Sequence, residues 1–239
     1  MIAIRNQEMG PEFVFASLLS GYPTTGFTEN VKQLLADDAL SVESVKHVPS
    51  FLEVRSRVVD SLGSDAVLDD LRSEYIDLFD RGREVNSLYE TEYGRERAMV
   101  KGTELVDIAA FYRAFGLENG ADGTLPEMLD HVSVELEFYA LLVLKSQMLQ
   151  EAGDSEGQEI VLDARKKFLQ SHLGRFVGAI CLRPGVDSSP FYGAVFRYCR
   201  DLVKEECGRL GVVPESQSWI SGQAEPPEMA CGATIPGLK

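Results

Sequence analysis

The sequence predicts an all-α protein, a bundle of roughly eight to ten helices. Three observations predict it. Alternating apolar and polar runs joined by tight Asn-Gly or Asp-Gly turns are missing, and the turn residues of "ENGADG" fall between helical patterns instead. Apolar residues recur three and four positions apart along most of the chain. Capping residues and Gly or Pro stand at the ends of those runs.

Taken in order, Ser50 and Glu53 form a capping box before the stripe Phe51, Val54, Val58, Val59 and Leu62, which Gly63 ends. Leu68, Leu71, Tyr75, Leu78 and Phe79 make the next stripe, with Gly82 just beyond it. Thr103 caps a helix carrying Leu105, Ile108, Tyr112 and Phe115, stopped by Gly116. A longer helix opens near Leu125, with Pro126 in its first turn, and runs to about Gln150. Ser155 and Gln158 cap another through Ile160, Val161, Ala164 and Phe168 toward Phe176, and Pro190 starts the last, with Tyr192, Val195, Phe196, Cys199, Leu202 and Val203. No fixed-period repeat announces a solenoid. Residues 1–60 read as an N-terminal helical layer, 61–213 as the main helical domain, and 214–239, rich in Pro, Gly and Ser, as a flexible tail.

The composition narrows the function classes. With 23 basic and 38 acidic side chains the net charge is −15, which repels nucleic acid and anionic membranes and suits basic partners. The start "MIAIRNQEMG" is no secretory signal, and no run approaches the roughly 20 apolar residues of a membrane span, so a cytoplasmic protein without membrane insertion is expected. Cys181, Cys199, Cys207 and Cys231 lack CxxC spacing and read as reduced, partly buried thiols. HExxH, GxSxG, GxxxxGK[ST] and GxGxxG are all missing, so neither a metal site nor a catalytic centre is expected.

The long helix carries Asp130 next to His131, with Glu127 within reach of both. Leu129, Val132, Leu136, Ala140 and Val143 fall on one side of the wheel, and Val134, Phe138, Leu141 and Leu142 make it apolar nearly all round, which marks a central helix. The polar cluster then marks a first turn that reaches the surface or a cleft. Acids there are also ordinary helix-start chemistry. Adjacent helix positions diverge by about 100°, which argues against Asp130 and His131 acting together on one reacting atom.

Three stretches in register resemble the TorD/DmsD family of cytoplasmic chaperones for molybdenum-containing oxidoreductases. In "EYIDLFDRGREVNSLYETEY", Tyr75, Leu78, Phe79, Tyr89 and Glu90 are similar to the family's Tyr-x-x-Leu-Phe and Tyr-Glu-Ser elements, with Thr91 where Ser is usual. In "EMLDHVSVELEF", Glu127, Asp130, His131, Leu136, Glu137 and Phe138 match, with Leu129 in place of a proline. "FLQSHLGRFVGAI" and "SSPFYGAVFRYCRDLVKEE" resemble a Phe-Leu-x-x-His-Leu segment and a closing helix that begins Phe191-Tyr192.

The resemblance implies a chaperone, not an enzyme, that binds the twin-arginine leader or the apo-form of a client catalytic subunit. It would prevent premature export while the molybdopterin cofactor, which belongs to the client, is inserted. Tyr89, Glu90, Glu127, Asp130 and His131 become the candidate client contacts, with the acids as arginine acceptors. Tyr75, Leu78, Phe79, Leu136, Phe138, Phe191 and Tyr192 become fold-defining residues, and Phe168, Leu169 and His172 packing residues. Arg81, Arg83, Arg95 and Arg97 read as a solvated mixed-charge face. The competing readings are an adaptor that binds folded subunits without recognising a leader, and an α-helical enzyme or metalloprotein. A monomer and a domain-swapped dimer both fit.

Overall fold

The computed structural model describes residues 10–36, 40–41, 45–93, 97–117 and 128–215. Expectations resting on Arg95, Pro126, Glu127, Cys231 and the tail from 216 lie outside the described residues. The helices are α1 Gly10–Ser20, α2 Phe27–Leu35, α3 Phe51–Ser61, α4 Asp65–Tyr75, α5 Arg97–Ala114, α6 Val132–Ala152, α7 Ser155–Phe168, α8 Gly174–Ile180, α9 Pro184–Ser188 and α10 Pro190–Leu210. Wide π turns continue α4 over Ile76–Asp80 and α7 over Leu169–Leu173. Regular structure among the described residues is helical, apart from one antiparallel bridge between Tyr89 and His131. The all-α expectation holds.

The centre is built from α1, α6 and α10, because these helices carry apolar side chains around most of their circumference. α1 buries Phe13, Phe15, Ala16 and Leu19, lies along α6 and also touches α10. α6 buries Val132, Leu136, Phe138, Tyr139, Ala140, Leu142 and Val143. Aromatic rings join the layers edge to face: Phe15 with Phe51 and Tyr198, Phe79 with Tyr75 and Tyr192, Phe138 with Phe168. Tyr75, Phe79, Leu136, Phe138, Phe191 and Tyr192 are all buried, and Leu78 packs half-buried against them. Apolar residues of α1, α2 and α3 belong to the same buried cluster as those of the later helices.

Several helix ends differ from the sequence reading, for physical reasons. Ser50 is itself helical, makes no capping bond, and the Glu53 carboxylate instead takes Arg197 at 2.6 Å. Thr103 lies inside α5, which starts at Arg97. The N-cap of α7 is Asp154, which accepts the Gly157 amide at 2.9 Å, one residue ahead of Ser155. Ser189 does cap α10, taking the Tyr192 amide at 2.9 Å, with Pro190 in the first turn. Gly153 ends α6 at φ 70°, a conformation in which a side chain would be strained. Gly82 is needed where the π turn unwinds, because a Cβ there would strike the Leu78 carbonyl oxygen. No helix among the described residues is long and apolar enough to cross a membrane.

One ion pair is fully enclosed. Arg165 of α7 donates to Glu206 of α10 at 2.6 Å, and Tyr139 of α6 donates to the same oxygen at 2.7 Å. Burial alone would raise the Glu206 carboxyl, but Arg209 and Arg165 together with the Tyr139 hydroxyl hold it below its ordinary value. Glu206→Leu therefore strands a buried guanidinium and should cost about 3–5 kcal/mol in urea denaturation. Adding Arg165→Met should restore most of that loss.

Candidate functional site

Residues 86–93, "NSLYETEY", run without regular helix between the end of the π turn and α5, apart from one 3-10 turn at Glu90–Glu92. A non-helical stretch in a helical core must find partners for its backbone polar groups. It finds them in the residues just before α6. The Glu90 amide donates to the Asp130 carbonyl at 2.9 Å, and the Val132 amide donates to the Leu88 carbonyl at 2.9 Å. These two bonds frame the Tyr89–His131 bridge. At the ends of the stretch, Asn86 donates to the Leu78 carbonyl at 3.2 Å and the Tyr93 hydroxyl donates to the Ser87 carbonyl.

Asp130 completes the clasp with its side chain. One carboxylate oxygen accepts both the Thr91 amide at 3.2 Å and the Thr91 hydroxyl at 2.6 Å. A hydroxyl at position 91 is what this geometry uses, and Thr supplies it as Ser would. His131 is the N-cap of α6: its Nδ1 accepts the Ser133 amide at 3.2 Å. Nδ1 is thus unprotonated, and Nε2 carries the hydrogen toward the Tyr75 hydroxyl at 3.3 Å. Burial, aided by the nearby Arg83 cation, lowers the His131 pKa to about 4, so the ring is neutral.

The expected surface-reaching first turn is not found. α6 begins at Val132, after the pair, and Asp130 and His131 are each 1% exposed. Their polar atoms face the 88–91 stretch, a partner that helical periodicity does not reveal. Of the candidate contacts among the described residues, Glu90 is also fully buried, and Tyr89 is the half-buried one. The Tyr89 ring meets the His131 imidazole edge to face at 5.1 Å, and the Arg83 guanidinium lies over it at 4.0 Å.

Behind the clasp lies a charge cluster that the sequence reading missed. Glu90 faces His172 Nδ1 at 3.1 Å, and His172 Nε2 faces Asp107 of α5 at 3.1 Å. Both ring nitrogens point at carboxylates, so both donate and the ring is an imidazolium. Burial would lower its pKa, but Glu90 and Asp107 raise it above the ordinary value. His172, read from sequence as a packing residue, is therefore an electrostatic link between the π turn after α7 and the clasp. Glu135 of α6 is fully buried beside Glu90. Burial, with the negative charges of Glu90 and Asp130, pushes its carboxyl well above the carboxylate range, so it keeps its proton. The signal for Glu135 was its place on the wheel beside the apolar stripe of Val132 and Leu136.

Arg175 of α8 bridges Glu104 of α5 at 3.3 Å and Glu215 at 3.0 Å. Among the described residues no group of three or more His, Cys, Asp or Glu is arranged to hold a metal ion. Cys181, Cys199 and Cys207 are buried, and burial raises each thiol pKa. What the arrangement does chemically is hold: it locks residues 86–93 against α6, α5 and the π turn, and leaves one aromatic ring at the surface. Residues 37–182, more than half of the chain and the whole of this clasp, match the family model described as nitrate reductase delta subunit. No curated protein matches the chain.

Two tests follow from the clasp. Glu135→Gln keeps shape and donor and should cost less than about 1 kcal/mol at neutral pH, whereas Glu90→Leu leaves His172 underpaired and should cost about 3 kcal/mol. The histidines act in opposite directions with pH. The stability that His172 adds is full below the ordinary imidazole value of roughly 6.5 and is lost as pH climbs through its raised folded value. The neutral His131 adds stability above that value, lost as pH falls toward about 4. In urea midpoints measured against pH, His172→Gln should flatten the alkaline limb and His131→Asn the acid limb.

Proposed function

Because this chain belongs to the nitrate reductase delta subunit family, the maturation chaperones of molybdoenzymes, we propose that it holds the catalytic subunit of a molybdopterin-containing oxidoreductase before export. It binds the client's twin-arginine leader or its apo-form in the cytoplasm while the cofactor is inserted. The observation that carries this reading is the convergence of Tyr89, Glu90 and Thr91 with Asp130 and His131 in one clasp, built from stretches that are far apart in sequence.

In this reading the clasp residues divide by burial. Tyr89 touches the client, with Arg83 stacked on its ring. Glu90, Asp130 and His131 set the position of Tyr89, and their carboxylates meet a client arginine only when the clasp opens. The overall charge of −15 favours encounter with a basic leader by long-range attraction, which weakens with added salt. No covalent step is required of the chain: the chemistry is client binding, shielding and release.

Tagged protein recovered from cells making molybdoenzymes should carry an oxidoreductase subunit with its leader still attached. Tyr89→Ala should lower that recovery at least roughly tenfold while moving stability by less than about 1 kcal/mol, as fits a half-buried contact residue. Recovery of processed subunits alone, with affinity unchanged when the leader is deleted, would instead establish the adaptor.

A further inference from the structure

A second surface feature lies apart from the clasp. α8, the C-terminal half of α10 and residues 212–214 enclose an open groove of about 640 Å³. Its walls are largely apolar, including Leu182, Val203, Val213 and Pro214, and Lys204 of α10 stands among them, while Arg200 is paired with Asp201 at 2.7 Å. Leu182 is 69% and Val213 82% exposed, an apolar cost that a covering segment would remove.

The chain itself leads a segment to this groove. Glu215 is pinned at the lip: its amide donates to the Gln170 carbonyl at 2.9 Å, and its carboxylate accepts Ser171 at 3.0 Å and Arg175 at 3.0 Å. Residues 216–239 lie outside the described residues and begin "SQSWI", so Trp219 and Ile220 come within five positions of the anchor. Five extended residues span up to about 17 Å, enough to double back over the lip. Further on the segment carries Glu225 and Glu228, opposite in sign to Lys204. A large aromatic and a β-branched residue, followed by two acids, match an apolar trough with a lysine on its wall.

We propose that this groove is the docking site of the chain's own C-terminal segment, with Trp219 and Ile220 seated against Leu182, Val203 and Val213. The anchor at Glu215 makes the contact intramolecular, so a short segment binds at high effective concentration.

Trp219 is the one tryptophan of the chain, so its fluorescence reads the contact directly in the full-length protein. The groove can be blocked without touching the core: a Cβ at Gly208 of α10 or at Gly178 of α8 meets nothing within 4 Å. The expected result is a blue-shifted emission in the unaltered chain. In Gly208→Phe the emission should move to that of a water-exposed indole, with acrylamide quenching several-fold stronger. Gly178→Phe is the second block, and circular dichroism identifies any variant that has lost its helices, so that the comparison uses one that has not. A water-exposed emission in the unaltered chain would overturn the proposal. So would equal emission in the unaltered and blocked proteins, or protection that disappears on dilution, which would mean a segment donated by a second copy. None of these readouts depends on a client.

Discussion

An all-helical protein meets one unavoidable difficulty wherever its chain crosses the core without helical hydrogen bonds. Residues 86–93 are such a crossing, and the pairing of Leu88 and Glu90 with Val132 and Asp130 resolves it. Much of the site's geometry depends on this short exchange of backbone bonds. It sets where α6 begins, turns Asp130 inward onto Thr91, and makes His131 both the cap of α6 and the partner of Tyr75. Helix, cap and crossing are thus one cooperative unit.

Enclosing that unit brings acids together in a low dielectric, where like charges are costly. The protein offsets this in two ways. His172 stands as a cation between Glu90 and Asp107, and Glu135 keeps its proton. The same logic holds two turns along α6, where Arg165, Arg209 and Tyr139 surround Glu206. Two buried polar centres therefore fix how α6 is oriented against α7, α10 and the crossing segment. Apolar packing alone tolerates many such orientations.

For a member of a family of maturation chaperones, this division between a fixed interior and a few exposed groups makes physical sense. The clasp keeps the Tyr89 ring at a defined place at the surface, between the His131 imidazole and the Arg83 guanidinium. The apolar groove beside Glu215 is separate from the clasp in its residues and differs from it in chemistry, being walled largely by apolar side chains.

How much of this was legible before the structure depends on the range of the interaction. The all-α class, the burial of Tyr75, Phe79, Leu136, Phe138 and Tyr192, and the Ser189–Pro190 start of α10 all follow from periodicity and local backbone preference, which act within a few residues. The motif spacing around Tyr89 and Asp130 also marked two stretches that the structure pairs. What the sequence left open is which face of those stretches is buried and what they touch. Thr91 meets Asp130 across 39 positions and Glu90 meets His172 across 82. Contacts at such separations exist only once the helices have packed, and burial with the neighbouring charges then decides the protonation of His131, Glu135 and His172. Residue types, periodicity and caps lie in the sequence, because their physics is local. Protonation, partner choice and exposure belong to the tertiary structure, because desolvation and long-range pairing are properties of the assembled core.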